Sequence, residues 1–167
     1  KRIAKRPALR LLRSDLTGTF GLQVVSGVLT AFAESATVLP SVSGADVDVK
    51  TIDHPPSATG ILSGVPQIEV FNGYVYAVAE YVTGQYFHHY VDGGTTYIAD
   101  VNCPNSLGFT KAASRIFAPD GENVRFCAAG DARDWTTASD AGFLAAGLQQ
   151  DTKGSVTGCG TFQDSLV

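Results

Sequence analysis

The dipeptide Asn72-Gly73 stands between two apolar runs, Ile68-Glu69-Val70-Phe71 before it and Tyr74 to Val82 after it. Both central residues of a two-residue hairpin turn need positive φ, which Asn and Gly accept most readily. The pair therefore predicts two adjoining antiparallel strands. Thr83-Gly84 then turns the chain into the aromatic-rich run Gln85 to Val91, and Asp92-Gly93-Gly94 turns it again into Thr95 to Ala99. Four strands and three tight turns predict an antiparallel meander between Pro66 and Val101. Repeated radially, such a unit is a propeller blade; alone, it is a small sheet of a sandwich.

A further hairpin is predicted over 114–128. Arg115 to Ala118 leads through Pro119-Asp120-Gly121-Glu122 into Asn123 to Ala128. In the return strand Val124, Phe126 and Ala128 share one face, and Asn123, Arg125 and Cys127 share the other. Gly154 to Cys159 and Thr161-Phe162 read as strands, Gln163-Asp164 as a turn, and Leu166-Val167 as the start of another strand. Leu22 to Val25 and Val47 to Ile52 are the strand signals of the first third. Helical periodicity is confined to Lys1 to Leu12, interrupted by Pro7, and to Ser139 to Gln150, weakened by Gly142 and Gly147. The expected fold is mainly β, with antiparallel meanders that are blade-like or sandwich-like and little helix. The expected units are a basic arm (1–14), a β-rich segment (15–60) and a blade-like region (61–167).

Charge is distributed unevenly. Lys1, Arg2, Lys5, Arg6, Arg10 and Arg13 fall in the first thirteen residues, where no acid occurs. The chain as a whole has 12 bases, 16 acids and a net charge of −4, so the body beyond the arm is strongly acidic. A nucleic-acid-binding domain normally carries its basic surface on the folded body. The arm is therefore read as a docking element for an acidic partner or as a solvated tail. Arg10 and Arg13 break the only apolar stretch near the start, so the segment is not a secretory signal. No apolar run approaches the ~18 residues of a membrane span.

Three cysteines, Cys103, Cys127 and Cys159, lack metal or redox spacing and read as small thiols packed in the interior. The chain has no Met and ends on Ser165-Leu166-Val167, and is expected to be one piece of a longer polypeptide. Nucleophile-elbow, phosphate-loop, zinc-helix and dinucleotide motifs do not occur, so no catalytic residue, cofactor or metal is predicted. His88 and His89 are adjacent in a predicted strand and point to opposite faces, one packed and one exposed, so they do not grip one ion. Asp131, Asp134 and Asp140 surround Trp135 without a calcium-loop pattern. Their expected role is structural: Asp134 caps a turn, Arg133 pairs with a nearby acid, and Trp135 anchors the loop against a sheet.

The segment Gly130 to Leu144, GDARDWTTASDAGFL, follows the strand ending VRFCAA, and TGCGTFQDSLV (157–167) comes after it. This layout resembles the β-rich, propeller-like tail proteins of short-tailed bacteriophages, called tail tubular, nozzle or hub proteins. There a blade strand leads into a loop closing on Asp-Trp or Asp-Phe, and a G-x-x-x-F-x-D-x-L-V strand comes later. Gly130, Asp134, Trp135, Phe162, Asp164, Leu166 and Val167 match. FNGYVYAV (71–78) is similar to their x-x-G-x-L-Y-V blade strand. Lys5-Arg6-Pro7-Ala8-Leu9-Arg10 is similar to their R-R-P-G-x-R stretch, with Ala8 where the family has Gly.

The resemblance implies a structural virion protein of the tail, assembled in the host bacterial cytoplasm. It implies a homo-oligomeric ring, commonly a hexamer, below the head-to-tail connector. Neighbouring tail or connector proteins would be its partners, and DNA would pass through without sequence-specific contact. It implies no catalysis. Acidic walls suit such a conduit, because they repel phosphate and let DNA slide. Two other readings compete. One is a carbohydrate-binding or glycan-cleaving domain that uses Trp135 and other aromatics as platforms. The other is a nucleic-acid module acting through the arm.

Overall fold

A computed structural model of the chain describes residues 18–34, 47–92, 94–149, 154–162 and 165–166. The chain is mainly β. Three sheets follow one another along the sequence. The first holds β1 (Thr19–Val25), β2 (Val28–Ala33) and β3 (Val47–Thr51). Strands β1 and β2 form a hairpin, and β3 lies parallel to β2. The second sheet is the predicted meander: β4 (Leu62–Phe71), β5 (Tyr74–Tyr81), β6 (Tyr86–Asp92) and β7 (Gly94–Tyr97), in that spatial order and all antiparallel. The third is another four-stranded meander, made of β8 (Thr110–Ala112), β9 (Arg115–Asp120), β10 (Asn123–Phe126) and β11 (Gly142–Leu144). A two-stranded ladder, β12 (Thr161–Phe162) with β13 (Ser165–Leu166), comes last.

The middle sheet is buried on both faces, which explains why β5 reads as a nearly unbroken apolar run. Val75, Ala77, Ala79 and Tyr81 of β5, with Phe87 and Val91 of β6, pack against Phe32 and Ile52 of the first sheet and its exit. The small Ala77 and Ala79 leave room for Phe32 and Ile52 in the ~10 Å between stacked sheets. On the opposite face Tyr76, Val78 and Tyr90 meet Ile116, Ala118 and Cys127 of the third sheet, with Phe109 and Trp135 closing that core. The first and second sheets approach closely at Gly21, a bulge residue at φ +63°. A Cβ there would stand 2.6 Å from Ile68 Cδ1 and 3.0 Å from the Val65 carbonyl oxygen.

The three sheets share a plan. Each opens with a hairpin whose two turn residues have positive φ: Ser26-Gly27, Asn72-Gly73 and Ala113-Ser114. Aligning these turns superposes Leu22, Ile68 and Phe109, then Leu29, Val75 and Ile116, then Ala31, Ala77 and Ala118. In the second and third sheets these positions face the preceding sheet. Positions one residue on, such as Tyr76, face the following sheet, and Phe32 does so in the first sheet. The sheets are therefore stacked head to tail, with one polarity. Ser26 and Asn72 are 46 residues apart, and Asn72 and Ala113 are 41 apart, spacings in the range of sheet-repeat architectures.

Several expectations are corrected. The stretch from Ser139 to Gln150 is not an α-helix. It comprises 3₁₀ turns at Thr137–Ser139 and Ala146–Gln149 around strand β11. Gly147 lies against Glu122 more closely than a side chain permits, and a Cβ at Gly142 would press on the Phe126 ring at 3.0 Å. Residues 154–160 are irregular rather than a strand. They are tied down by the Val156 amide donating to the Gly121 carbonyl and the Cys159 thiol donating to the Phe117 carbonyl. Strand β4 begins at Leu62 and accommodates Pro66 through register shifts between Leu62 and Gln67. Among the described residues no helix is long and apolar enough to cross a membrane.

Candidate functional site

Lys1, Arg2, Lys5, Arg6, Arg10 and Arg13 lie outside the described residues. Asp134 and Trp135 lie in the loop between β10 and β11. The Asp134 carboxylate accepts from the Thr136 amide at 2.9 Å, an Asx turn. Its side-chain and backbone hydrogen bonds hold it below the usual carboxylate range, with Ser139 the largest contributor. The Asp134 carbonyl accepts from the Ala128 amide at 2.7 Å, which fastens the loop to the end of β10. Trp135 is 2% exposed. Its indole N–H donates to the Ala132 carbonyl at 3.0 Å, and its ring meets His88 edge to face. The loop is pinned from outside by Asp100, which sequence reasoning did not single out. One Asp100 oxygen accepts from the Trp135 amide at 2.8 Å and the Thr136 hydroxyl at 3.1 Å, and the other from the Asn102 amide at 2.9 Å.

The two histidines point to opposite faces of the middle sheet, and both are buried; neither is the exposed member of the expected pair. His88 faces the third sheet. The Ser106 carbonyl can only accept, so Nε2 of His88 carries the proton and donates at 3.0 Å, and the Tyr76 hydroxyl donates to Nδ1 at 2.7 Å. The ring is neutral, and burial pushes its pKa down to about 4. His89 faces the first sheet, with Nδ1 3.1 Å from the Phe87 carbonyl and Nε2 3.0 Å from the Asp53 carbonyl. Burial lowers its pKa, against the opposing pull of those carbonyls and the Asp53 charge. No group of three metal-ligating side chains occurs among the described residues.

The acids around Trp135 do not converge. Asp131 pairs with Arg133 at 3.1 Å, and Asp140 pairs with Arg115, whose guanidinium also donates to the Cys127 carbonyl. Each carboxylate is thus committed to fixing a turn. The buried Trp135 offers no platform for a sugar. Burial pushes the Cys127 thiol up to about 11 and also raises Cys103 and Cys159, so the thiols are packed rather than nucleophilic.

One face of the first sheet is exposed only in part, since Ala31 and Ala33 on it are buried. Leu22 and Val24 of β1 and Leu29 of β2 lie on the side of the first sheet turned away from the meander, and they are 62%, 57% and 38% exposed. Val75 and Ile116, equivalent to Leu29, are 3% and 0% exposed, and Phe109, equivalent to Leu22, is 4% exposed, whereas Lys111, equivalent to Val24, is exposed. No family model, curated protein or solved structure matches the chain.

Proposed function

We propose that the chain is a structural, non-catalytic component of a short-tailed phage tail, built from blade-like repeats, that assembles with copies of itself into a ring around a DNA conduit. The observation that carries this reading is the head-to-tail stack of three sheets, each opening with the same kind of hairpin. A stack of one polarity extends by adding like units, and heterologous addition closes into rings when the rotation allows. The tail-protein resemblance at Gly130, Asp134, Trp135 and 158–167 supports the same reading. So does an acidic body, which suits a passage for DNA. The polar side chains of the interior also fit a scaffold, since Asp100, His88, Asp134 and Arg115 are all consumed in fixing loops to sheets. Native mass spectrometry tests the proposal. The expected result is a closed oligomer, with six copies the leading expectation, and a species of 17.5 kDa at every concentration contradicts it.

A further inference from the structure

We infer that Asn72 is a site of spontaneous covalent modification, at which the folded chain converts a side-chain amide to a carboxylate and so releases the second hairpin from the loop that holds Trp135. The chemistry is internal to the chain. The Gly73 backbone nitrogen, once deprotonated, attacks the side-chain carbonyl carbon of Asn72. The new N–C bond closes a succinimide ring, the bond to the side-chain nitrogen breaks, and that nitrogen takes up a proton and leaves as ammonia. Water then opens the ring at either carbonyl and gives aspartate or isoaspartate. One water is consumed and one ammonia is released, with no change of oxidation state.

The four asparagines are not equal before this attack. Asn72 is exposed and precedes Gly73, which has no Cβ to shield its nitrogen; space around the Gly73 Cβ position is open to 4 Å. Asn123 precedes the β-branched Val124 within β10. Asn102 is half-buried, and its Oδ1 accepts from Arg125 at 3.2 Å. Asn105 is exposed, but Ser106 follows it. Asn72 carries a brake of its own, because its Nδ2 donates to the Gly130 carbonyl at 2.8 Å. A neutral hydrogen bond of this kind holds the side chain in place by roughly two- to tenfold. A hairpin tip also opens locally without unfolding the sheets. The bond therefore delays the reaction and does not prevent it.

The consequence follows from the place of Gly130. Its carbonyl accepts from Asn72, and its amide donates to the Ser114 carbonyl at 2.8 Å. Gly130 thus ties the tips of the second and third hairpins to one loop. A carboxylate at position 72 has no hydrogen to donate and sets an acceptor against the Gly130 carbonyl. Isoaspartate also adds a carbon to the backbone of a two-residue turn and disturbs the pairing of Phe71 with Tyr74. The chain loosens at this junction as it ages, whether or not it assembles.

The test incubates the folded chain at pH 7.5 and at pH 8.5 and locates gained mass by tandem mass spectrometry. Isoaspartate is read by methylation with an isoaspartyl methyltransferase. A gain of one dalton is expected at Asn72 ahead of Asn102, Asn105 and Asn123, faster at the higher pH, and roughly two- to tenfold slower than in the urea-unfolded chain. Mass gained first at another asparagine overturns the assignment. So does an unchanged Asn72 in the folded chain over a period in which the unfolded chain reacts fully, because the reaction then waits for unfolding. Hydrogen exchange of Asn72→Asp tests the release. The Gly130 amide is expected to exchange about tenfold faster than in the unmodified chain, with Ala77 and Val78 of β5 unchanged. Equal protection of Gly130 in the two chains overturns the release. Should Asn72→Asp fail to fold, the chain modified by incubation gives the same readout.

Discussion

His88 and His89 are neighbours in β6, and each is buried against a different sheet, so both act as stability sensors for acid. In the unfolded chain an imidazole titrates near 6.5, and in the folded chain His88 titrates near 4. The folded state therefore binds fewer protons between those values. Stability is full above about pH 6.5 and falls as pH drops toward 4, by about 3 kcal/mol for His88. His89 shifts in the same direction and adds to the loss. Urea midpoints measured from pH 7.5 to 4.5 should decline across this window, and the decline should shrink in His88→Leu. A flat profile in the unmodified chain contradicts the buried, neutral assignment. Asp100 supports a second expectation. Asp100→Ala leaves the Trp135 amide without its acceptor, and the loss should cost about 2–3 kcal/mol and red-shift Trp135 emission. The opposite directions of the two histidines were legible from strand alternation alone. The burial of both was not, because it depends on a sheet lying on each side of β6. Asp100 was invisible because nothing local in the sequence marks a residue whose partners are 35 positions away.

At the scale of elements, turn chemistry decided what could be read. Asn72-Gly73 announces its hairpin, and the meander from β4 to β7 follows from it. Ser26-Gly27 makes the same turn within a run of Ser, Thr, Ala and Gly, and β2 was missed with it. The parallel pairing of β2 with β3 carries no local signal at all. Ala113 and Ser114 form the third such turn with no suitable residue, at φ +46° and +58°. A non-glycine residue in the left-handed region costs about 1 kcal/mol or more. Both residues are exposed, and the Ser114 carbonyl accepts from the Gly130 amide at 2.8 Å, which ties the turn to the loop between β10 and β11. Ala113→Asn with Ser114→Gly keeps that carbonyl and relieves the backbone. The double variant should be more stable by about 1–2 kcal/mol, read as a higher urea midpoint at unchanged slope. Unchanged or reduced stability would show that this turn is not of the positive-φ kind. The repeat itself becomes visible only once these three turns are aligned, since the strands after them match in pattern more than in identity.

At the scale of the whole molecule, the mainly β architecture and the second meander were legible because alternation, aromatic content and turn signals agree along the chain. The exposure of Leu29 was not legible, because the sequence of β1 and β2 resembles that of β4 and β5, where Val75 at the equivalent position is buried. Charge adds a further element at this scale. Six bases fall in the first thirteen residues of a chain whose remainder is acidic, a polarity that favours contact between the basic segment and an acidic surface, such as the body of another copy. Neutralising Lys1, Arg2, Lys5, Arg6 and Arg10 to Gln should weaken assembly several-fold and reduce its salt dependence, with the β sheets folded as before. Assembly that is unchanged in strength and salt response would remove the arm from the mechanism.

The most direct test of the account is the native mass of the purified chain over a concentration series at pH 7.5, above the histidine window. The account predicts closed oligomers of the 17.5 kDa unit, discrete rather than an open-ended ladder, in equilibrium with the monomer. A single 17.5 kDa species throughout would contradict it.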